Sequence, residues 1–244
     1  WQKKIVQLFE DWVPHRADHV TTINEFLKKR LLGHGMPEKK ITFLPNGVDP
    51  DRFPPGHLED VEKLRKQLRL QNKKIAAFIG SLSIPSHPVD LLLDAYQCVS
   101  KEMAGTALLI VGGGEEIQNL QHKASGLGIA ERTIFTGRVK PTEVNLYYRL
   151  ADVVIEPVQD DLSARGRAPL KMFESWLTGA PFITSDVGDR KQFLGEPPAG
   201  LLVQPGDARH LAAGILKILQ DEDFANSLRE RGLMRVQAYN WNNL

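Results

Sequence analysis

The chain predicts an α/β fold, a parallel sheet with helices on both faces. Three observations carry that prediction. Short, wholly apolar runs such as 107–111 (ALLIV) read as strands buried on both sides, as parallel sheets require. These runs close on glycines, at Gly80, Gly112 to Gly114 and Gly137, where the chain can turn sharply. Segments of helical spacing separate them, so strand, turn and helix recur through most of the 244 residues.

Residues 16–23 carry a strand-like HVTTI, followed by a basic helix over 25–33 and a short strand over 41–44. Asn46-Gly47 signals a turn. The proline-rich stretch 50–56 (PDRFPPG) reads as an exposed connection between two bodies. The run 74–79 (KIAAFI) is a buried strand ending at Gly80, and helical spacing follows over 89–99. Strands over 107–111, 133–136, 153–156, 181–184 and 201–203 alternate with helices over 115–125, 142–150 and 169–178. Helices over 210–219 and 223–239 close the chain. The expected division is 1–43 for the end of an N-terminal body and its hinge, 44–225 for the sheet domain, and 226–244 for a C-terminal helix.

Composition excludes several classes. Hydrophobic content of 42% and charged content of 25% are ordinary for a globular protein with a core. A formal net charge of +1 without a polybasic run gives no support for nucleic-acid binding. The single cysteine, Cys98, rules out an internal disulfide framework and makes cytoplasmic chemistry the default. It falls in an apolar helical run and reads as a core residue. The seven histidines form no HExxH pattern, so no metal site is expected. Nothing approaches the ~18 apolar residues a membrane span needs, and no signal peptide is evident. The chain begins at Trp1 rather than methionine, which reads as a fragment whose other part matters for function.

Ligands of open parallel sheets bind beyond the carboxyl ends of the strands. The glycine turns and the loop 160–169 all gather there, around a nucleotide-sized site. Gly112 to Gly114 does not make a dinucleotide fingerprint, because the third glycine position is Ile117 or Gln118. Glu115 and Glu116 would also repel a pyrophosphate, so a close backbone approach is the better reading. Asp186 and Asp189 flank Gly188 in a strand-exit loop, where facing a ligand and serving the turn are equally good explanations. No G-x-S-x-G nucleophile signature is present.

The stretch 165–174 (RGRAPLKMFE) places cations where a helix tolerates them least. Pro169 suits a first turn and Gly179 a stop, so a short helix runs over 169–178. Lys171 then lies in the first turn, with Arg165 and Arg167 in the loop before it. Each cation near a helix N-terminus costs about 0.3–1 kcal/mol, and Lys171 before Glu174 is the weaker order of such a pair. A bound anion explains the arrangement through dipole, backbone N–H groups and cations together. Pairing of the arginines with Asp160 and Asp161 is the competing explanation.

At this point a family resemblance enters. The segment 17–53 (ADHVTTINEFLKKRLLGHGMPEKKITFLPNGVDPDRF) resembles the hinge region of nucleotide-sugar glycosyltransferases of GT-B architecture, in particular the large retaining group. LLIVGGGEE, FTGRV, ADVVIEP, PLKMFESWLTGAPFITSDVGD and GLLVQPGDARHLAAGILKILQDEDF are similar to that family's donor-binding domain, in the family's order. The resemblance implies a Rossmann-like donor-binding half of a GT-B fold. It implies that Glu174, the second glutamate of a Glu-x7-Glu motif, holds the ribose. Leu170 and Lys171 match the helix start that meets the diphosphate, Arg138 and Val139 the loop around the base, and Gly80 with Ser81 the turn after the first strand.

Two positions depart from the family. The first glutamate of the motif is Gly166 here. The usual arginine and lysine after the first strand are absent: Ser81 follows Gly80, and the lysine's place falls near Ser86-His87. Lys171 and Arg167 are therefore the candidate catalytic cations, stabilising charge on the departing diphosphate. The expected function is transfer, with retention, of a sugar from a nucleoside-diphosphate sugar to an acceptor. No metal or other cofactor is expected. The acceptor, and with it peripheral membrane association as an option, belongs to the missing N-terminal domain. The alternative is an inactive nucleotide-binding module of the same fold.

Overall fold

The computed structural model describes residues 2–53, 58–83 and 87–244. It opens with helix α1 (Gln2–Arg16), followed by strand β1 (Val20–Thr22), helix α2 (Glu25–Gly33) and strand β2 (Ile41–Phe43). Helix α3 (Leu58–Gln67) leads into the main sheet. Its strands and helices are β3 (Lys74–Ile79), α4 (Val89–Glu102), β4 (Thr106–Val111), α5 (Ile117–Gly126), β5 (Thr133–Gly137), α6 (Val144–Leu150) and β6 (Val153–Ile155). There follow α7 (Leu162–Arg165), α8 (Leu170–Thr178), β7 (Phe182–Ser185), α9 (Arg190–Leu194), β8 (Leu201–Val203), α10 (Ala208–Gln220) and α11 (Glu222–Arg235).

The main sheet is wholly parallel, in the order β5-β4-β3-β6-β7-β8. Two halves therefore wind outward from β3 and β6, the doubly wound topology in which a crevice opens between the two central strands. Alternation along each strand feeds two cores. Ala76, Phe78, Leu108 and Ile110 join Leu92, Tyr96 and Ile215 on one face. Ile75, Ala77, Leu109 and Val111 join Tyr148, Phe173 and Trp176 on the other. β1 and β2 form a separate parallel pair.

Four helices escape sequence reading. α3 buries only Val61 and Leu64, too little apolar spacing to register. α7 and α9 have four and five residues, too short for a period. α1 does space Ile5, Leu8, Phe9, Trp12 and Val13 at helical intervals, but that stripe stays exposed rather than joining a core. α11 already begins at Glu222, so a division at residue 225 falls inside it. Of the proline-rich connection 50–56, residues 54–56 lie outside the described ones.

The segment after β2 is fastened at two places. Val48 bridges to Asn240, and its N–H donates to the Tyr239 carbonyl at 2.8 Å. Asn46 Nδ2 donates to the Ala168 carbonyl at 2.7 Å, beside the start of α8. Tyr239 itself stacks on Phe173 of α8 at 4.7 Å. The chain's end thus braces the helix that faces the crevice. No helix among the described residues is long and apolar enough to cross a membrane.

Candidate functional site

Gly80 ends β3 and Glu156 follows β6, so their loops flank the crevice at the switch point. The glycine turns are knitted by backbone. Gly80 N–H donates to the Val111 carbonyl at 2.9 Å, Leu82 N–H to that of Gly113 at 3.1 Å, and Gly112 N–H to that of Gly137 at 3.0 Å. A side chain at Gly112 (φ 134°) would lie 1.9 Å from the Gly80 carbonyl oxygen. Gly112 to Gly114 is thus a close-approach turn, as its failed dinucleotide spacing implied.

α8 begins bare: Pro169 precedes it, no side chain caps it, and its first turn holds no acid. Lys171 turns inward from that first turn and is only 8% exposed. Its Nζ lies 4.4 Å over the Phe78 ring and 3.2 Å from where a Gly80 side chain would begin. It meets no hydrogen-bond acceptor among the described residues. Burial holds its pKa down at about 8, with the Glu156 carboxylate pulling upward and Arg190 downward. A buried ammonium without a hydrogen-bonded partner is expensive. It is the arrangement expected of a group that waits for an anion.

Beneath it lies a second, buried polar cluster. Arg190 donates from Nε and Nη2 to the two Glu156 carboxylate oxygens, both at 3.0 Å. Thr184 Oγ1 adds a bond to Glu156 Oε2 at 2.7 Å. Burial alone would raise the Glu156 pKa, but Arg190, Lys171 and Thr184 bring it down to about 2.

The candidate residues are distributed around this centre. Glu174 accepts from the Tyr148 hydroxyl at 2.6 Å, and burial raises its pKa against the opposing pull of that bond and of Lys171. Arg138 is exposed, with its side chain lying over Gly113, and Val139 is half-buried against the core. Ser81 and Leu170 are exposed at the rim. Arg167 donates to Ser163 Oγ at 2.9 Å. His87 packs edge-on against Phe78 at 5.8 Å, and burial, then Lys171, lowers its pKa to about 4. Ser86 lies outside the described residues.

Two expectations are corrected. Arg165 does not join Lys171: its guanidinium grips Asp160 at 2.6 and 2.8 Å, a partner five residues away on an exposed loop. Asp161 is spent as the cap of α7, accepting from Ala164 N–H at 2.7 Å. The helix start therefore gathers two of the three proposed cations. The Asp189 side chain makes no cap within its own turn. Its carboxylate accepts the Glu25 N–H and, at 3.2 Å, the Phe26 N–H, capping α2.

Sequence reading missed Glu156, Arg190, Phe78 and Tyr148. A signal existed for one of them, since Glu156 ends an otherwise apolar strand run (VVIE) and a buried carboxylate there demands a partner. Nothing in the sequence names Arg190 as that partner. Among the described residues, no group of three or more His, Cys, Asp or Glu side chains is placed to hold a metal ion. A cavity of about 810 Å³ opens between α1, β1 and α2 on one side and Gly166 and Arg167 on the other.

This fold and site define a class. The chain belongs to the glycosyl transferases group 1 family, whose model matches residues 73–221. The model described as Glycosyltransferase Family 4 matches residues 1–52. A GDP-mannose-dependent alpha-(1-6)-phosphatidylinositol monomannoside mannosyltransferase of Mycobacterium tuberculosis is 29% identical over 93% of this chain and 60% of its own length. A 2-deoxystreptamine glucosyltransferase of Streptomyces kanamyceticus is 26% identical over 90% of this chain and 56% of its own. The chain thus spans about 60% of the length of such relatives. Among solved structures, Anabaena Alr3699/HepE in complex with UDP and glucose superposes with a TM-score of 0.80 at 19% identity, covering 93% of this chain and 60% of that one. The sucrose-phosphate synthase of Thermosynechococcus elongatus does so with 0.79 at 25% identity, over 96% and 57%. The fold is that of GT-B glycosyltransferases.

Proposed function

We propose that the chain is the donor-binding part of a glycosyltransferase that moves a sugar, with retention, from a nucleoside diphosphate to an acceptor. The observation that carries this reading is Lys171: a buried ammonium, without a hydrogen-bonded partner among the described residues, at a bare helix N-terminus on the switch-point crevice. The family and the nucleotide named in the HepE structure support it.

In the reaction the bond between the sugar's anomeric carbon and the diphosphate oxygen breaks. An acceptor hydroxyl oxygen bonds the same carbon, and its proton passes to the departing diphosphate. Negative charge grows on the departing diphosphate as that happens. Lys171, Arg167 and the first N–H groups of α8 meet this charge better in the transition state than in the ground state, which is what accelerates transfer. Side-chain cations fill the place a metal takes elsewhere. Glu174, held by Tyr148, accepts the ribose hydroxyls, while Arg138 and Val139 border the base, and Gly80 and Ser81 leave backbone room for the phosphates. The acceptor approaches from the cavity shared by α1, α2 and Arg167, with the rest of its site supplied by residues beyond this chain. The single cysteine fits work in the cytoplasm.

Gly166 and Ser81, in place of the family's carboxylate and cation, favour a second reading, a module that binds nucleotide without transfer. Titration calorimetry with UDP, GDP and ADP, then with their sugars, separates the two. Diphosphate binding strengthened by one sugar supports transfer, and indifference to every sugar supports the module. No binding at all removes both. Glu174→Gln is expected to weaken nucleotide binding about tenfold, the magnitude of a lost charge-assisted hydrogen bond; unchanged affinity takes Glu174 off the ribose.

A further inference from the structure

Glu156 and Arg190 meet no surface, since they are 1% and 0% exposed. A buried ion pair adds little net stability, because desolvation offsets the attraction. What the pair joins is more telling. Glu156 follows β6 and accepts a hydrogen bond from Thr184 of β7 at 2.7 Å. Beyond its two bonds to Glu156, Arg190 spends Nη1 on the carbonyls of Ala164 at 2.9 Å and Val187 at 3.0 Å. One guanidinium therefore ties together the end of β6, the loop after β7 and α7. Val158, Ala164 and Val187 close a small apolar cluster over the same three segments. At Gly188 a side chain would come within 2.5 Å of the Arg165 carbonyl oxygen, so the α7 segment is seated tightly. Arg167 and Lys171 follow that segment directly.

We propose that Glu156 and Arg190 are positioning residues for diphosphate recognition, fixing α7 so that Arg167 and the start of α8 face the crevice. This rests on the reading of Lys171 as a diphosphate ligand. The charged and titratable groups facing Lys171 are Glu156 beyond β6, Arg190 of α9, Glu174 of α8, Arg167 in the preceding loop and His87 before α4. With Glu156 neutral, only Glu174 remains to offset the repulsion of Lys171 by Arg190 and Arg167. The ammonium then loses its proton at lower pH.

The test uses the chain with UDP and GDP as probes, four variants and a pH series. Replacing both buried partners, E156M with R190M, keeps volume and removes the desolvation penalty. The double variant is expected to melt within a few degrees of the unaltered chain or above it, yet to bind the nucleoside diphosphate about tenfold more weakly or worse, a loss of about 1.4 kcal/mol. Glu156→Gln is expected to move the alkaline limb of nucleotide affinity to lower pH, a shift that loosened packing alone would not produce. Arg190→Lys, which keeps the charge without the fork, is expected to restore less than the native affinity. A folded double variant with native affinity, or a Glu156→Gln limb at the native pH, overturns the proposal. If Lys171→Met abolishes binding in that same series, only the positioning role has failed. Where the unaltered chain binds neither nucleotide, the reading of Lys171 falls and the proposal with it.

Discussion

Two guanidinium–carboxylate pairs of similar geometry sit in opposite surroundings in this chain. Arg165 meets Asp160 at 2.6 and 2.8 Å with side chains 45% and 44% exposed. Arg190 meets Glu156 at 3.0 Å twice, with both side chains essentially unexposed. By distance the exposed pair is the tighter. By consequence it is the weaker, because water and salt screen it and it joins residues only five apart in the chain. The buried pair spans 34 residues and three segments around the crevice. Contact length does not rank ion pairs; solvent exclusion and the segments they join do.

The largest effect expected is from breaking the buried pair on one side. Arg190→Met leaves Glu156 as an uncompensated buried charge, so urea unfolding should show a loss of about 3–5 kcal/mol. A loss below about 1 kcal/mol would erase the contrast between the pairs.

A pH series gives intermediate effects of opposite sign. Glu156 titrates at about 2 in the fold against 4.5 ordinarily, so its contribution is complete above that ordinary value and fades as pH falls toward 2. Lys171 titrates at about 8 against 10.5. The unfolded chain binds more protons between those values, so stability rises with pH across that window while nucleotide affinity declines. Lys171→Met should remove the rise and stabilise the unliganded chain at pH 7 by roughly 1–3 kcal/mol. Thermal melts of the two forms at pH 7 and pH 10 check it; equal slopes would mean that the ammonium is not strained by burial. The smallest effect is Asp160→Ala, a shift close to the noise of the melt that fades further as salt is added. A loss as large as that of Arg190→Met would show the exposed pair to be structural.

Part of the candidate site's geometry was readable before the fold. The anomaly of Lys171 in a helix's first turn, at a place where cations are unfavourable, pointed to an anion, and the fold buries that same lysine beside Gly80. Glu174 and the glycine turns reach the same edge. Arg165 shows where such reasoning stops. Its position next to Arg167 is a fact of sequence, but whether it turns to the helix or to Asp160 depends on α7, whose four residues carry no periodic signal. Asp189 likewise looks like a turn residue until α2, 164 positions earlier, is brought against it.

The sequence by itself determined the parallel sheet, because apolar runs of strand length bounded by glycines can be satisfied only when both faces are covered. It also determined where the loops gather, since every strand-to-helix turn of such a sheet opens on one edge. Only the tertiary structure decided which charges meet. Glu156 and Arg190 are distant in the chain, and their pairing follows from the strand order that sets β6 beside β7 and from the exclusion of water between them. Periodicity reports burial one element at a time; electrostatics depends on distances between elements, and those exist only once the sheet has closed.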